Sequence, residues 1–338
     1  MRKDSNLPAG TVHTLWVDSA CLRDNLLGDP ARRRVDVYVP VGHDGPGLPL
    51  LVDLVGYTAG GPAHTNWKNY GENLPERLDR LNATGAMPPV VVAFPDCFTR
   101  LGGNQYIDSI AVGSWETFLI REMLPAVEER FSCGGDGRRG VFGKSSGGYG
   151  AMVHAMGHGN SVWSAAACHS GDMGFDLLYR GDFPNVLRHL AEHGLSAEAF
   201  IRSFEAGPKA KDKDWHTLMI LAQCATFDPD PSAFLGVRLP VDTDTCELIA
   251  ERWENWLRWD PLRMADDAKH LAALRALKLL FFDCGDIDQY NMVYGARALH
   301  KKLERSGVVH IYEEFHDNHS SVDYRMDVSL PLLAKALS

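Results

Sequence analysis

Residues 141–149 read Val-Phe-Gly-Lys-Ser-Ser-Gly-Gly-Tyr: a short apolar strand, the turn Gly143-Lys144-Ser145-Ser146-Gly147, and the start of a helix predicted over 149–156. G-x-S-x-G between a strand and a helix has a steric meaning. The serine occupies a sharp, strained turn that lifts its hydroxyl above the sheet. The residues two before and two after it pass so close to neighbouring backbone that only a very small side chain fits. Ser145 has Gly143 and Gly147 at those places, whereas Ser146 has Lys144 and Gly148 and is the poorer nucleophile. Gly143-Lys144-Ser145 also looks like the end of a phosphate-binding loop. That motif needs a glycine where Arg138 stands, and the strand occupies the place of the loop.

A serine hydroxyl needs a base, and the base needs an orienting carboxylate. After a serine on such a turn, the chain order is Asp or Glu and then His. Both follow. The strand expected over 277–283 leads into Cys284-Gly285-Asp286-Ile287-Asp288. The strand expected over 308–315 leads into His316-Asp317-Asn318-His319-Ser320. Loops at the carboxyl ends of parallel strands face the ligand. Asp286 and Asp288 are both candidates for the acid, and His316 and His319 for the base.

Farther out, 11–22 and 33–41 alternate apolar and polar residues, with Val35, Val37 and Val39 on one face, as half-buried strands do. The runs 49–55 (PLLVDLV) and 89–94 (PVVVAF) are continuous and β-branched, the signature of strands buried on both faces of a mainly parallel sheet. Residues 116–131 have helical apolar spacing interrupted by Pro125, which is expected to kink the helix. Further strands are expected at 140–143 and 162–168, and helices at 291–306 and 330–337. Strands alternating with helices predict a doubly wound α/β sheet in a single domain, 1–338. Between about 171 and 263 the rhythm breaks. This stretch contains Trp215, Trp253, Trp256 and Trp259 and is read as an inserted helical cap over the carboxyl edge of the sheet. The competing reading is a peripheral helical subdomain.

The composition is that of an ordinary globular protein, 45% hydrophobic and 23% charged, with net charge −10 and no basic run. That speaks against nucleic acid as a partner. No apolar run approaches the roughly 18 residues of a membrane-spanning helix, and the N-terminal residues lack the apolar core of a signal peptide. Membrane association is therefore not expected. Seven scattered cysteines with no C-x-x-C pair fit reduced thiols in a cytoplasm, and neither a metal site nor a cofactor is implied.

The segments GKSSGGYGA, CGDIDQYNMVYGARALHKKL and VVHIYEEFHDNHSSVDYR, with Tyr106-Ile107-Asp108-Ser109 after PDCFT, resemble one branch of the α/β hydrolases. That branch contains esterase D (S-formylglutathione hydrolase), enterochelin esterase, feruloyl esterase domains and the mycolyltransferases. The resemblance implies the α/β-hydrolase fold. It also implies the acid three residues after the loop glycine, Asp288, and the base after a short Asp/Gly-rich turn, His319. The large insertion departs from the compact members.

An oxyanion hole requires two backbone N–H groups. One is expected from Ser146, the residue after the nucleophile, and one from Tyr57 in the Gly56–Gly61 loop. Trp67, Gln105, Tyr106 and His169 are candidate substrate contacts, since their segments follow strands at the same sheet edge. His154 and His158, four apart on the helix after the turn, are read as ordinary helix histidines. The expected activity is hydrolysis of a carboxylic ester through an acyl-enzyme on Ser145, with a small-molecule ester as partner. An acyltransferase using the same triad is the alternative, and a non-catalytic binding protein on this fold is a third reading. Self-association into a homo-oligomer stays open.

Overall fold

The computed structural model describes residues 6–159 and 161–338. Among these, eight strands form one sheet: β1 (Thr11–Asp18), β2 (Arg32–Val39), β3 (Leu50–Leu54), β4 (Val91–Pro95), β5 (Arg139–Lys144), β6 (Ala165–His169), β7 (Leu279–Gly285) and β8 (Ile311–Phe315). Their order is β1-β2-β4-β3-β5-β6-β7-β8. β2 runs antiparallel to both of its neighbours, and every other adjacent pair is parallel.

The apolar runs explain the position of the central strands. Every residue of β3, β4 and β6 is buried. Alternation sends Leu50, Val52 and Leu54 to one core and Leu51 to the other; Val91 and Ala93 oppose Val92 and Phe94 in the same way. The smaller core is closed by the helices Leu74–Ala83 and Met326–Leu337, and the larger by Ser146–His158, Met292–Arg305 and the helices around residues 115–131.

The helix Leu74–Ala83 lies outside the elements expected from the sequence. Its start is fixed by a capping box, in which Asn73 Oδ1 accepts from the Glu76 N–H and the Asn73 N–H donates to Glu76. Pro125 is accommodated without a break. A π-helical stretch, Phe118–Met123, leads into the helix Leu124–Phe131, and the Leu124 N–H reaches back to Leu119 O. The last helix begins already at Met326 and contains Pro331.

Between β6 and β7 the chain passes through seven α-helices and two short 3-10 helices, the longest of them Asp212–Phe227. Rings pack at its centre: Phe227 and Trp253 stand 5.3 and 5.6 Å from Trp256, and Phe183 meets Trp253 edge-on at 5.7 Å. The Asp260 carboxylate ties the segment's two ends together, accepting from the N–H groups of Gly174 (2.9 Å) and Phe175 (2.8 Å). No helix of the described residues is long and apolar enough to cross a membrane.

Candidate active site

Ser145 stands between β5 and the helix Ser146–His158 with φ 58° and ψ −126°, outside the usual regions for a residue with a side chain. The turn is tight enough that a Cβ on Gly143 would lie 2.2 Å from Leu54 O, and one on Gly147 1.8 Å from the same oxygen. The end of β3 therefore dictates both glycines. The Ser145 N–H donates to His169 O (2.9 Å), and Ser145 O accepts from Tyr149 (2.8 Å), fixing the turn from both sides. The loop after β3 lies against the serine: a Cβ on Gly56 would be 3.5 Å from Ser145 Cβ.

The ambiguity over acid and base resolves into two separate pairs. Asp288 and His319 are both buried, with Asp288 Oδ2 2.7 Å from His319 Nδ1. Asp286 pairs with His316 (3.1 Å) on the exposed surface. Asp288 is itself held, because Oδ1 accepts from the Tyr290 N–H at 2.9 Å. The His319 N–H donates to Gln289 Oε1 (2.9 Å), and the Tyr290 ring meets the imidazole edge-on at 5.0 Å. The two loops interlock closely. The Asp286 N–H donates to Phe315 O (2.9 Å), and a Cβ on Gly285 would collide with Asp317 O at 2.2 Å.

Ser145, Ser146, Tyr57 and His319 share the wall of one cavity of about 540 Å³. With Nδ1–H engaged by Asp288, the other imidazole nitrogen of His319 carries a lone pair and has no protein partner among the described residues. Neither the Tyr57 nor the Ser146 backbone N–H has a protein partner among the described residues. The Tyr57 backbone is gripped from behind by Gly103, where a Cβ would fall 2.3 Å from Tyr57 O, and its hydroxyl donates to Leu101 O at 2.5 Å.

The expected substrate contacts fare less well. Trp67 is 73% exposed and Tyr106 is part of the core, its hydroxyl donating to Val55 O (2.6 Å). His169 is also buried, between Asp283 (2.7 Å) and Ser329 (2.8 Å), on the face covered by the helix Met326–Leu337. None of these three belongs to the cavity wall. The sequence located their segments at the correct sheet edge but not the direction of each side chain. Gln105 lies behind the wall, bonding through Nε2 to Ser146 Oγ (3.1 Å) and Asp172 Oδ2 (3.3 Å). His154 Nδ1 accepts from the Trp163 indole (3.2 Å), so Nε2–H donates to Tyr106 O (2.8 Å). His158 pairs with Glu116 at 2.9 Å.

Several wall residues escaped sequence reading. Lys144, beside the serine, lines the cavity, and burial pulls its pKa down against the carboxylates of Asp323 and Asp288. His64 lines it too, with Nδ1 2.5 Å from Asp53, a carboxylate wholly buried in β3. Burial works against the His64 imidazolium, but Asp53 outweighs it, and the net shift is upward. The unusual aspartate in the run LLVDL was the available signal for this pair. Asp172, Leu178, Tyr179, Asp182, Asp212, Trp215, His216 and Met219 form the side contributed by the 171–263 segment.

An eight-stranded, mainly parallel sheet with one antiparallel strand, a serine on a strained strand–helix turn and a buried His–Asp pair on one cavity define an α/β hydrolase. The chain belongs to the family described as "Putative esterase", whose model matches residues 111–328, and it is an esterase. In fold it is similar to a ferulic acid esterase (19% identity, TM-score 0.63, covering 98% of this chain and 100% of that one). It is also similar to fluorophosphonate-binding serine hydrolase F of Staphylococcus aureus (14%, TM-score 0.59, 97% and 99%). An S-formylglutathione hydrolase of Agrobacterium tumefaciens (16%, TM-score 0.57, 100% and 99%) shares the fold as well. No curated protein matches the chain.

Proposed function

We propose that the protein hydrolyses a small-molecule carboxylic ester through an acyl-enzyme on Ser145. The observation that carries this reading is the buried 2.7 Å pair of Asp288 and His319 on the same cavity as the strained Ser145. His319 takes the Ser145 proton as Oγ attacks the ester carbonyl. Asp288 holds the imidazole in the tautomer that can accept it and stabilises the imidazolium that forms. The backbone N–H groups of Tyr57 and Ser146 receive the oxyanion; one such donor is worth about 3–4 kcal/mol of barrier. His319 then passes the proton to the departing alcohol. Water, activated by the same histidine, releases the acid and frees the serine.

A cavity of about 540 Å³ suits a small ester. Leu178, Tyr179, Trp215 and Met219 on its wall support a capping role for the 171–263 segment. The seven cysteines, all unpaired and five of them buried, support a reducing, cytoplasmic setting.

The test is hydrolysis of 4-nitrophenyl esters of graded acyl length by the enzyme and two variants. Ser145→Ala is expected to fold and lose nearly all activity. Ser146→Ala retains a substantial part, because its backbone N–H remains. Equal losses in the two variants would refute the assignment of the nucleophile.

A further inference from the structure

The part of the cavity wall supplied by the 171–263 segment has its own chemistry. It carries three carboxylates, Asp172, Asp182 and Asp212, together with His216 and the rings of Tyr179 and Trp215. Lys144, the cavity's lysine, comes from the serine turn and not from this segment. Asp182 has a partner in His216, 2.9 Å away.

Asp172 is differently placed. It lies on the wall yet is only 4% exposed. Its Oδ2 accepts from the Tyr179 hydroxyl at 2.7 Å and from Gln105 Nε2 at 3.3 Å. Among the described residues Oδ1 has no partner, and neither has Oε1 of the adjoining Gln105. Buried acceptors are almost always paired, so two orphans joined by one hydrogen bond mark a place where a donor is missing. Burial raises the Asp172 pKa, against the Tyr179 and Gln105 hydrogen bonds and the nearby His319. The ionised form is thus incompletely compensated by the protein alone.

A protonated amine answers each of these features. One N–H supplies the donor that Asp172 Oδ1 lacks, its charge offsets the buried carboxylate, and its apolar body rests against the ring of Trp215 on the cavity wall. A neutral hydroxyl supplies one donor and no charge, and an anion is repelled by the Asp172 carboxylate. We propose that Asp172, with Gln105 behind it, Tyr179 bonded to it and Trp215 on the same cavity wall, forms an ammonium subsite, so that the preferred esters carry a protonated amine near the scissile bond. This rests on the reading of the cavity as the esterase site.

The test uses benzylammonium, benzyl alcohol and benzoate as inhibitors of 4-nitrophenyl acetate hydrolysis at neutral pH, corrected for the uncatalysed rate. Benzylammonium is expected to compete about tenfold more tightly than benzyl alcohol, with benzoate weakest. Asp172→Asn is expected to abolish the advantage of the cation over the alcohol. Equal inhibition by the cation and the alcohol in the wild type overturns the subsite, whether or not the variant folds. So does an Asp172→Asn enzyme that keeps the preference. In either case continued hydrolysis leaves the esterase reading standing, whereas failure to hydrolyse any ester removes that reading instead.

Discussion

At the scale of single residues, the serine turn was legible because a contact with distant β3 leaves its mark within five consecutive residues. Leu54 O excludes a side chain at both Gly143 and Gly147, and the sequence shows a glycine at each. The acid and base were narrowed only to neighbours, since Asp286 and Asp288 differ by which way a short loop faces. Tertiary packing separates them, leaving Asp286 with His316 at the surface and burying Asp288 with His319. His169 shows the same limit. It ends β6, yet its side chain turns toward Ser329, while Asp172 three residues later reaches the cavity. Asp288→Asn is accordingly expected to lower kcat by about 10³–10⁴-fold, because His319 loses the partner that sets its tautomer. Asp286→Asn should change kcat little. Steady-state kinetics on one ester decides between them, and the opposite ranking would assign the acid to Asp286.

At the scale of elements, buried strands announced themselves as continuous apolar runs, and the long helices as 3.6-residue periodicity. The helix Leu74–Ala83 went unread although Leu74, Leu78 and Leu81 share a face and Asn73 with Glu76 forms its cap. The tryptophans of the 171–263 segment could not be sorted by pattern, since aromatic residues serve core and pocket alike. The structure divides them. Trp256 is fully buried among Phe183, Phe227 and Trp253, whereas Trp215 lies on the cavity wall and is 44% exposed. Trp256→Ala should therefore destabilise the protein by roughly 3–5 kcal/mol, the range for emptying a large core site. Trp215→Ala should leave Tm nearly unchanged and raise KM for an aryl ester more than for an acetate ester. Thermal melts and paired KM values check both. A large drop in Tm for Trp215→Ala with unaltered ester preference would make Trp215 part of the segment's own core.

At the scale of the whole molecule, the alternation of strands and helices predicted the doubly wound sheet. The order β1-β2-β4-β3-β5-β6-β7-β8 is written in no local segment. That order brings the ends of β3, β5, β7 and β8 together, so that residues as distant as Tyr57, Ser145 and His319 face one cavity. The orphaned acceptors at Asp172 and Gln105 and the Asp53–His64 pair arise the same way, from segments that meet only in the fold. Activation of Ser145 as a nucleophile by this convergence is tested by covalent labelling. The protein is treated with a fluorophosphonate probe, digested, and the modified residue located by mass spectrometry. A single adduct on Ser145 is expected, formed much more slowly after His319→Ala and absent after Ser145→Ala. An adduct on Ser146 or elsewhere, or an unmodified protein that still hydrolyses esters, would contradict it.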